Sequence, residues 1–412
     1  MNHGKFDGGQ LSDAEKNLRD FYKRLLNLSA THKAMQGEYA DLATANEKLF
    51  AFARWRGGEQ LIVVSNFDHE SSHETKLEIP ASLVSEWQLA DGRYVLDEQL
   101  YGENNARLVV DGGSAYVLLE LDPLESLVFE LGAADIQRHT DFASQFVDPR
   151  HVDVWLPGDY HDSNKNYRVL YFHDGQNLFN PEWVYYTQTD WGIDETLQRL
   201  IDSGEVDDTI VVGIWSTAQR IAEYMPWDLY QATSDEYRAA IGRYLGSEPT
   251  SREYLRFVVE ELKPFIDSNY RTKPGRDDTA MMGSSMGALI SLYGVIEYPD
   301  VFAAAACVST HWPSSMMVDK PAGNERVLEY LRSAIPAPGQ HRIYFDFGTE
   351  ELDSEYEPHQ SAVDDVMRDI GYEYGSDWQT HKIEGAGHNE GAWNERAHIP
   401  LKFLLGTADK KE

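Results

Sequence analysis

The sequence predicts an α/β protein, with a mostly parallel sheet over the last two-thirds of the chain, preceded by an N-terminal helix and a small antiparallel β-sandwich. Three patterns indicate this. Apolar residues first recur at helical spacing and then alternate with polar residues at a period of two, and after about residue 148 strand-like and helix-like segments follow each other in turn. Such alternation is typical of a parallel sheet covered by helices on both faces.

A capping-box pattern opens the N-terminal helix. Ser12 and Glu15 stand in the order S-x-x-E, in which each side chain can satisfy a free backbone N–H of the other residue. Apolar residues then recur at helical spacing as far as about Leu28. We therefore expect one amphipathic helix within residues 1–34.

Short alternating segments fill the next part of the chain. Seven of them lie between residues 48 and 132, separated by turn signals such as the RGG at 56–58. Regular short strands with such turns are typical of an antiparallel sandwich, which we place at 35–132. The mixed, polar segment 133–147 is interpreted as a linker.

The remaining domain is placed at residues 148–407. Its candidate strands are HVDVWLP, YRVLYFHD, TIVVGIW, TAMMG, VFAAAACVS, RIYFDFG and HKIEG. Helices are expected near 191–201, 251–269, directly after 285, and near 324–334, 357–371 and 390–405.

Charge and hydropathy exclude several classes of function. The 412 residues include 36 Lys and Arg against 69 Asp and Glu, a formal charge of −33. Such a field repels phosphate backbones, so we expect no nucleic-acid partner. No apolar run approaches the roughly 18–20 residues of a membrane span, and the polar start MNHGKFDGGQ has no signal-peptide core. We expect a soluble chain with no membrane partner, and the sequence leaves its compartment and oligomeric state open.

The single cysteine, Cys307, excludes an intramolecular disulfide and a zinc site built from several cysteines. It lies in the apolar run AAAACV, which favours a buried packing role over nucleophilic chemistry.

The strongest chemical signal is the segment Gly283-Ser284-Ser285-Met286-Gly287. It matches G-x-S-x-G, the nucleophile elbow, and lies between the apolar strand TAMM and the helical run ALISLYGVI, as that motif requires. Small flanking residues let the chain pass through a sharp strand-to-helix turn. We interpret Ser285 as a nucleophile. A structural Gly/Ser turn is the alternative, and Ser284 is at the wrong position within the motif.

A serine hydroxyl needs a base, and the base needs an orienting acid. In this motif's fold the chain order is Ser, acid, His. His388 lies in GAGHN directly after the strand HKIEG, in a loop at the carboxyl end of a strand, where ligands gather in open α/β sheets. The other downstream histidines fall inside predicted strands or helices, except His311, which we interpret with Trp312 as pocket lining.

Several acids could orient His388. The loop after RIYFDF carries Glu350, Glu351 and Asp353, whereas Asp346 lies within the strand and is the poorer candidate. An acidic loop is often only solvated. We favour Asp353, with Glu350 as the alternative acid.

An oxyanion hole needs backbone N–H groups that point at developing negative charge. The N–H of Met286, directly after the nucleophile, is one candidate, and Gly175 or Gln176, in the turn after RVLYF, should supply the other. Trp215, at another strand end, is a candidate for substrate binding together with Trp312 and His311. Core packing is the alternative for each tryptophan.

Four blocks together resemble the putative-esterase family of α/β hydrolases, which includes enterochelin, feruloyl and acetylxylan esterases, S-formylglutathione hydrolase and mycolyltransferases. They are YFHDGQNLF, VVGIW, GSSMGALISLYGVIEYPDVF and EGAGHNEGAW, within about 140–405. The resemblance implies an α/β-hydrolase fold, the Ser285–His388 pair, and a hydrolase with neither metal nor cofactor. The segment FDFGTEELDSEY resembles the family's acid loop, which supports Asp353 without excluding Glu350.

The first third resembles a different family. Residues 4–39 look like the end of an α-amylase-family barrel, and the sandwich looks like that family's C-terminal domain. The amylase's catalytic carboxylates would lie upstream, so we expect no glycosidase activity. By analogy, the association favours a carbohydrate-linked ester and glycan contact through the sandwich.

The leading hypothesis is a serine carboxylic-ester hydrolase that acts through an acyl-enzyme on short-chain, aryl or carbohydrate-linked esters, so its expected partner is a small-molecule or carbohydrate ester. One alternative is an acyltransferase that uses the same triad. The other is a glycan-binding protein whose hydrolase domain is inert.

Overall fold

The computed structural model describes residues 11–101, 106–184, 187–245, 248–313 and 324–406. Within these ranges no helix combines the length and the apolar character that crossing a bilayer requires. The first ten residues of the expected N-terminal segment lie outside the described part. The chain divides into two compact units, Met1–Arg138 and His139–Glu412.

The described residues of the first unit form two α-helices and eight strands, the last of which continues past Arg138: α1 (Asp13–Thr31), β1 (Glu38–Leu42), β2 (Leu49–Arg56), β3 (Glu59–Asn66), β4 (His73–Ile79), α2 (Ala81–Glu86), β5 (Gly92–Glu98), β6 (Ala106–Asp111), β7 (Ser114–Leu121) and β8 (Ser126–Phe142). The capping box is present, since the Ser12 N–H donates to Glu15 Oε2 at 2.8 Å and the Glu15 N–H to Ser12 Oγ at 3.3 Å. The predicted helix is therefore confirmed, and it extends three residues beyond Leu28.

The strands of the first unit pair antiparallel in two arms that share β8. One arm has the order β1-β2-β3-β8 and the other β8-β5-β6-β7-β4. Apolar side chains from both arms form one core. Strand β1 and helix α2 are not among the elements that the sequence predicted.

The predicted linker at 133–147 is wrong over most of its length, because β8 continues to Phe142. Two charged residues of this stretch, Asp135 and Arg138, are buried and form ion pairs. Asp135 is 9% exposed and accepts hydrogen bonds from Arg93 at 3.0 Å and from Arg107 at 2.8 Å. Charged residues thus occupy inward positions where a period-two reading expects apolar ones.

In the part of the second unit that the structure describes there are seven further strands, β9 (Arg150–Trp155), β10 (Arg168–His173), β11 (Thr209–Ile214), β12 (Thr279–Ser284), β13 (Ala304–Val308), β14 (Arg342–Gly348) and β15 (Trp378–Ile383). Its helices are α3 (Ile193–Asp202), α4 (Arg220–Tyr224), α5 (Trp227–Ala232), α6 (Asp235–Leu245), α7 (Ser251–Arg256), α8 (Lys263–Asn269), α9 (Met286–Glu297), α10 (Asn324–Ala334), α11 (Glu357–Asp369), α12 (Glu390–Arg396) and α13 (His398–Leu405).

The predicted helices differ in detail from the observed ones. The segment expected as one helix at 251–269 consists of α7, a π-helical stretch at Phe257–Leu262, and α8. The segment expected at 390–405 is two helices that meet at Ala397. Helices α4, α5 and α6 were not predicted.

The sheet of the second unit has the order β15-β14-β13-β12-β10-β11-β9. Strands β10 to β15 are all parallel to one another, but β9 runs antiparallel to its neighbour β11. The sheet is therefore mixed, where the sequence predicted a mostly parallel one. A buried apolar strand such as HVDVWLP has the same hydropathy pattern in either direction, so only its pairing reveals its orientation.

This topology determines where chemistry can occur. Strands β12, β13, β14 and β15 are adjacent and parallel, so the segments that follow them lie at one edge of the sheet. Behind that edge, α9 is buried along all ten residues from Met286 to Val295. Cys307 in β13 is fully buried in the same core, and burial raises the pKa of its thiol, which agrees with a packing role.

Candidate active site

The turn between β12 and α9 holds Ser285 in a strained backbone conformation. Its φ is 58° and its ψ is −120°, a region that residues other than glycine rarely adopt. A Cβ on Gly283 would lie 2.7 Å from the carbonyl carbon of Gly287, so only glycine permits this approach. The Ser285 N–H donates to Val308 O at 2.9 Å, and Ser285 O accepts from the His311 N–H at 3.3 Å. These contacts hold Ser285, a half-buried residue, at the sheet edge.

His388 follows β15 at the same edge and contacts an acid. Its Nδ1 lies 2.6 Å from Oδ1 of Asp353. An ionised carboxylate only accepts hydrogen bonds, so the imidazole proton is on Nδ1 and the Nε2 lone pair is available as a base.

The carboxylate of Asp353 is fully buried, and both of its oxygens accept hydrogen bonds. Its Oδ2 accepts hydrogen bonds from the Ser309 hydroxyl at 2.5 Å and from the Gly348 N–H at 2.7 Å. Burial alone would raise the pKa of Asp353, but the hydrogen bonds from His388, Ser309 and Gly348 together with the charge of His388 outweigh it, and the pKa is lowered. The acid therefore stays ionised at neutral pH.

The loops that carry the acid and the histidine are hydrogen-bonded to each other. The N–H groups of Thr349 and Glu350 both donate to Ala386 O at 3.0 Å, and Glu351 Oε2 accepts from the His388 N–H at 2.8 Å. Glu350, the alternative acid, has an exposed side chain. Of the candidate acids in this loop, Asp353 is the one whose carboxylate is hydrogen-bonded to the His388 ring.

A chain of contacts connects the serine turn with the histidine loop. The residue whose N–H donates to Ser285 O, His311, has its Nδ1 2.5 Å from the Tyr356 hydroxyl, and the Tyr356 ring lies perpendicular to that of His388 with centroids 5.8 Å apart. Burial, assisted by the nearby His388 and Arg220, lowers the pKa of His311 to about 4. His311 is therefore neutral beside the catalytic candidates.

The turn after β10 contains Gly175 and Gln176, the other two residues that the sequence predicted as backbone donors. Asp174 adopts a left-handed conformation with φ 58°, and Gly175 opens a short 3₁₀ turn. A Cβ on Gly175 would overlap the carbonyl carbon of Gly213 in β11, so the position requires glycine. The side chain of Gln176 is fixed by Ser216, with Nε2 to Oγ at 2.8 Å and Oε1 to the Ser216 N–H at 3.1 Å.

This turn lies beside the serine turn. A Cβ on Gly287 would be 3.3 Å from the Cβ of His173 and 3.5 Å from a carboxylate oxygen of Asp174. Met286 is the first residue of α9, where an N–H has no partner within the helix, and Gly175 holds the same position in its own turn. The structure thus brings the predicted donors to neighbouring turns at one edge.

Comparison with known families agrees with this geometry. Residues 143–397 match the family described as "Putative esterase". The chain belongs to the putative-esterase family. Residues 39–132 match the domain described as "Alpha amylase, C-terminal all-beta domain". The resemblance to the esterase family and that of the sandwich region to the amylase C-terminal domain are confirmed, whereas the resemblance of residues 4–39 to the end of an amylase barrel stays a prediction. Membership of the esterase family supports carboxylic-ester hydrolysis by an α/β-hydrolase-type domain.

Similar proteins share modest identity with this esterase. The protein YbbA of Bacillus subtilis (strain 168) is 23% identical over 203 residues, which cover 49% of this chain and 69% of that protein. An endo-1,4-beta-xylanase/feruloyl esterase of Xylanibacter ruminicola is 25% identical over 177 residues, 42% of this chain and 21% of that protein. Among solved structures, a ferulic acid esterase aligns with a TM-score of 0.44 and 20% identity over 66% of this chain and 97% of its own.

The two tryptophans selected from the sequence have different environments in the esterase. Trp312 is 1% exposed, packs on Phe345 in the core, and donates from Nε1 to Gln360 Oε1 at 3.0 Å, so its assignment to the substrate pocket is wrong. An apolar residue after a strand end reads the same whether it faces the cleft or the core. Trp215 is half-buried, and its Nε1 donates to Asp153 Oδ2 at 2.8 Å.

Three residues near the acid were missed by sequence reasoning. Besides donating to Asp353, the Ser309 hydroxyl accepts hydrogen bonds from Trp393 Nε1 at 2.9 Å and from Arg396 Nη2 at 2.8 Å. A signal was available for Ser309, because it directly follows β13 at the functional edge. Trp393 is the last residue of the block EGAGHNEGAW, and Arg396 lies three residues further along α12, but this spacing alone does not identify a partner for either side chain.

The described residues contain no group of three or more His, Cys, Asp or Glu side chains arranged to hold a metal ion.

Proposed function

We propose that this esterase cleaves carboxylic esters through an acyl-enzyme formed on Ser285, with His388 as the base and Asp353 as the orienting acid. The observation that carries the proposal is the 2.6 Å contact between His388 Nδ1 and Asp353 Oδ1, at the sheet edge where the strained Ser285 directly follows β12. Membership of the esterase family supports the reaction class.

In the first half-reaction, Nε2 of His388 takes the hydroxyl proton of Ser285 while Oγ attacks the ester carbonyl carbon. The negative charge on the carbonyl oxygen is stabilised by the N–H of Met286 and by that of Gly175 or Gln176. The tetrahedral intermediate collapses, the proton on His388 passes to the departing alcohol, and the acyl group remains on Ser285.

In the second half-reaction, a water molecule gives a proton to His388 and attacks the acyl carbon. Collapse of the second intermediate releases the carboxylic acid and returns the proton to Ser285 Oγ. The ionised Asp353 stabilises the imidazolium in both steps without itself taking up the proton.

For the substrate, we propose short-chain, aryl or carbohydrate-linked esters. Trp215 supports an aromatic wall, because it directly precedes Ser216, which fixes Gln176 in the oxyanion turn, and its ring centroid lies 6.1 Å from that of Trp183. The name of the Xylanibacter relative, a xylanase/feruloyl esterase, supports feruloyl esters as one class. A panel of p-nitrophenyl, acetylated-sugar and feruloyl esters, assayed with the wild type and Ser285→Ala, tests the proposal. Equal turnover of every ester by both proteins would refute it.

The replacement Gly175→Ala tests the oxyanion turn. The new Cβ would overlap the Gly213 backbone, so the turn must shift. Its N–H groups would then no longer point at the carbonyl oxygen of the substrate. We expect kcat to fall by about 10²- to 10³-fold, as for the loss of one oxyanion donor, with a smaller change in KM. Gly275→Ala is the matched control, because its Cβ would meet nothing within 4 Å and its φ is −70°. Unchanged kcat in Gly175→Ala would exclude this turn from the reaction.

We also propose that the first unit contacts glycans, and a row of aromatic rings on β1 and β2 favours this. Tyr39 and Phe50 are 48% and 44% exposed, and both contact the ring of Phe52. The centroids of Tyr39 and Phe52 are 5.4 Å apart with planes at 30°, and those of Phe50 and Phe52 are 5.8 Å apart. The C–H face of a sugar ring stacks on such rings because its partial positive charge meets the negative aromatic face.

Binding to insoluble starch tests this second function. The double variant Tyr39→Ala/Phe50→Ala should lose at least about tenfold in affinity, since each stacked ring contributes on the order of 1 kcal/mol. Leu118→Ala, an exposed apolar position 51% accessible on β7, should bind as the wild type does. If the wild type fails to sediment with starch, the rings serve another purpose.

A further inference from the structure

We propose that Arg396 is a positioning residue that keeps the catalytic acid ionised, because its one buried guanidinium is shared between Asp353 and Asp346. Ser309 connects Arg396 to Asp353, since its hydroxyl accepts a hydrogen bond from the guanidinium and donates one to the carboxylate. The inference rests on the proposed function above.

The direction of the Ser309 hydroxyl follows from its partners. A serine oxygen has one proton and two lone pairs. Trp393 Nε1 and Arg396 Nη2 can only donate, and they occupy both lone pairs at 2.9 and 2.8 Å. The single hydroxyl proton must therefore point to Asp353 Oδ2, which lies 2.5 Å away. Any rotation away from Asp353 would direct this proton at another donor.

Arg396 carries one positive charge and lies beside two negatively charged carboxylates. Asp346 and Asp353 are both fully buried, and Arg396 is 3% exposed. The guanidinium lies 3.2 Å from Asp346 Oδ1 and 3.7 Å from Asp353 Oδ2. In the described part of the chain, Arg396 is the arginine or lysine that forms an ion pair with either carboxylate. Removing it would leave two buried negative charges with no permanent cation, which is strongly unfavourable.

Other groups around the pair do not replace this cation. His311 is neutral because its pKa is lowered to about 4, chiefly by burial. Burial also raises the pKa of Tyr356, so its hydroxyl carries no charge at neutral pH. Glu351 is a further negative charge, hydrogen-bonded to the His388 backbone N–H. The positive charge of Arg220 contributes to lowering the pKa of His311. Asp346 itself is hydrogen-bonded by the Ser309 N–H at 3.1 Å and by the Tyr344 hydroxyl at 3.0 Å.

A charge-balance role predicts a specific pH signature. In Arg396→Gln the pair of carboxylates should hold an extra proton to higher pH, so less of the enzyme has an ionised Asp353. We expect kcat/KM at neutral pH to fall at least about tenfold, and its acidic limb to move up by about one pH unit, the shift that loss of a nearby opposite charge commonly causes. Arg396→Lys retains a cation and should keep the limb near its wild-type position.

The double variant Arg396→Gln/Asp346→Asn is the decisive test. It removes one cation and one anion, so the charge balance around Asp353 is restored. The double variant should recover most of the kcat/KM that Arg396→Gln loses, and its acidic limb should return. A purely structural role predicts the opposite, because a second buried substitution would add further damage.

A matched control and a separate readout complete the experiment. Arg150 forms another buried ion pair in the same unit, with Glu223 at 2.6 Å, so Arg150→Gln should lower the melting temperature and leave the acidic limb unchanged. Labelling by a fluorophosphonate in the wild type, absent in Ser285→Ala, tests the proposed function independently. If Arg396→Gln fails to fold while the double variant folds, the charge-balance role is supported. A wild-type limb in Arg396→Gln, or failure of both variants to fold, overturns it.

Discussion

Replacing Ser285 by alanine should lower kcat by at least about three orders of magnitude, the usual cost of removing a triad nucleophile. Without Oγ, no acyl-enzyme can form, and the remaining donors can only bind the ester and assist direct attack by water. The rate is measured on the best substrate of the ester panel, and the variant's melting temperature shows that the fold is intact.

The neighbouring serine provides the control for this result. Ser284 is the last residue of β12 and 6% exposed, one position before the strained residue. Ser284→Ala should keep its activity and its labelling by fluorophosphonate, and Ser285→Ala should lose both. If Ser284→Ala were the inactive variant, the nucleophile assignment would move by one residue.

Replacing Asp353 by asparagine should lower kcat by about 10³- to 10⁴-fold at neutral pH, as a wrong imidazole tautomer does. An amide can donate, and if its NH₂ faces His388 Nδ1 the imidazole proton moves to Nε2. Its carbonyl oxygen would then take the place of Oδ2, where the Ser309 hydroxyl and the Gly348 N–H already donate. The base would lose the lone pair that accepts the Ser285 proton.

Glu350→Gln is the matched control for the acid, since it makes the same chemical change three residues earlier. Its side chain is exposed, and the backbone N–H that bonds Ala386 remains in the variant. We expect a change in kcat of less than about threefold, in line with surface substitutions of small effect. The reverse ranking of the two variants would assign the acid to Glu350.

The sequence predicted those features that local chemistry determines. The strand–turn–helix context of the segment around Ser285 is contiguous, so a strained turn between an apolar strand and an apolar helix could be recognised. The placement of His388 depended only on its position after a strand. The choice of acid could be narrowed only as far as one loop, because the sequence of a mostly exposed acidic segment does not show which carboxylate turns inward. In the structure it is Asp353, whose carboxylate accepts a hydrogen bond from the Gly348 N–H.

Features that depend on tertiary contacts could not be predicted. Arg396 and Asp346 read as a helix-surface cation and a strand acid, and only the adjacent positions of β13, β14 and α12 make them a buried pair. The same limitation explains why the prediction of a linker at 133–147 was wrong, since Asp135 in this segment is buried against Arg93 and Arg107. The prediction that Trp312 lines the substrate pocket was wrong because a residue just past a strand end can still point back into the core.

The hydrogen bonds between the loops after β14 and β15 affect how substrate range can change. Hydrogen bonds accepted by Ala386 O and Glu351 Oε2 connect the two loops, so we expect Asp353 and His388 to keep their relative positions when the loops move. In the function proposed above, adaptation to a bulkier acyl group would therefore occur around Trp215 and the turn at 174–177, which these hydrogen bonds do not hold. Libraries that diversify this region should alter selectivity while proton transfer keeps its geometry.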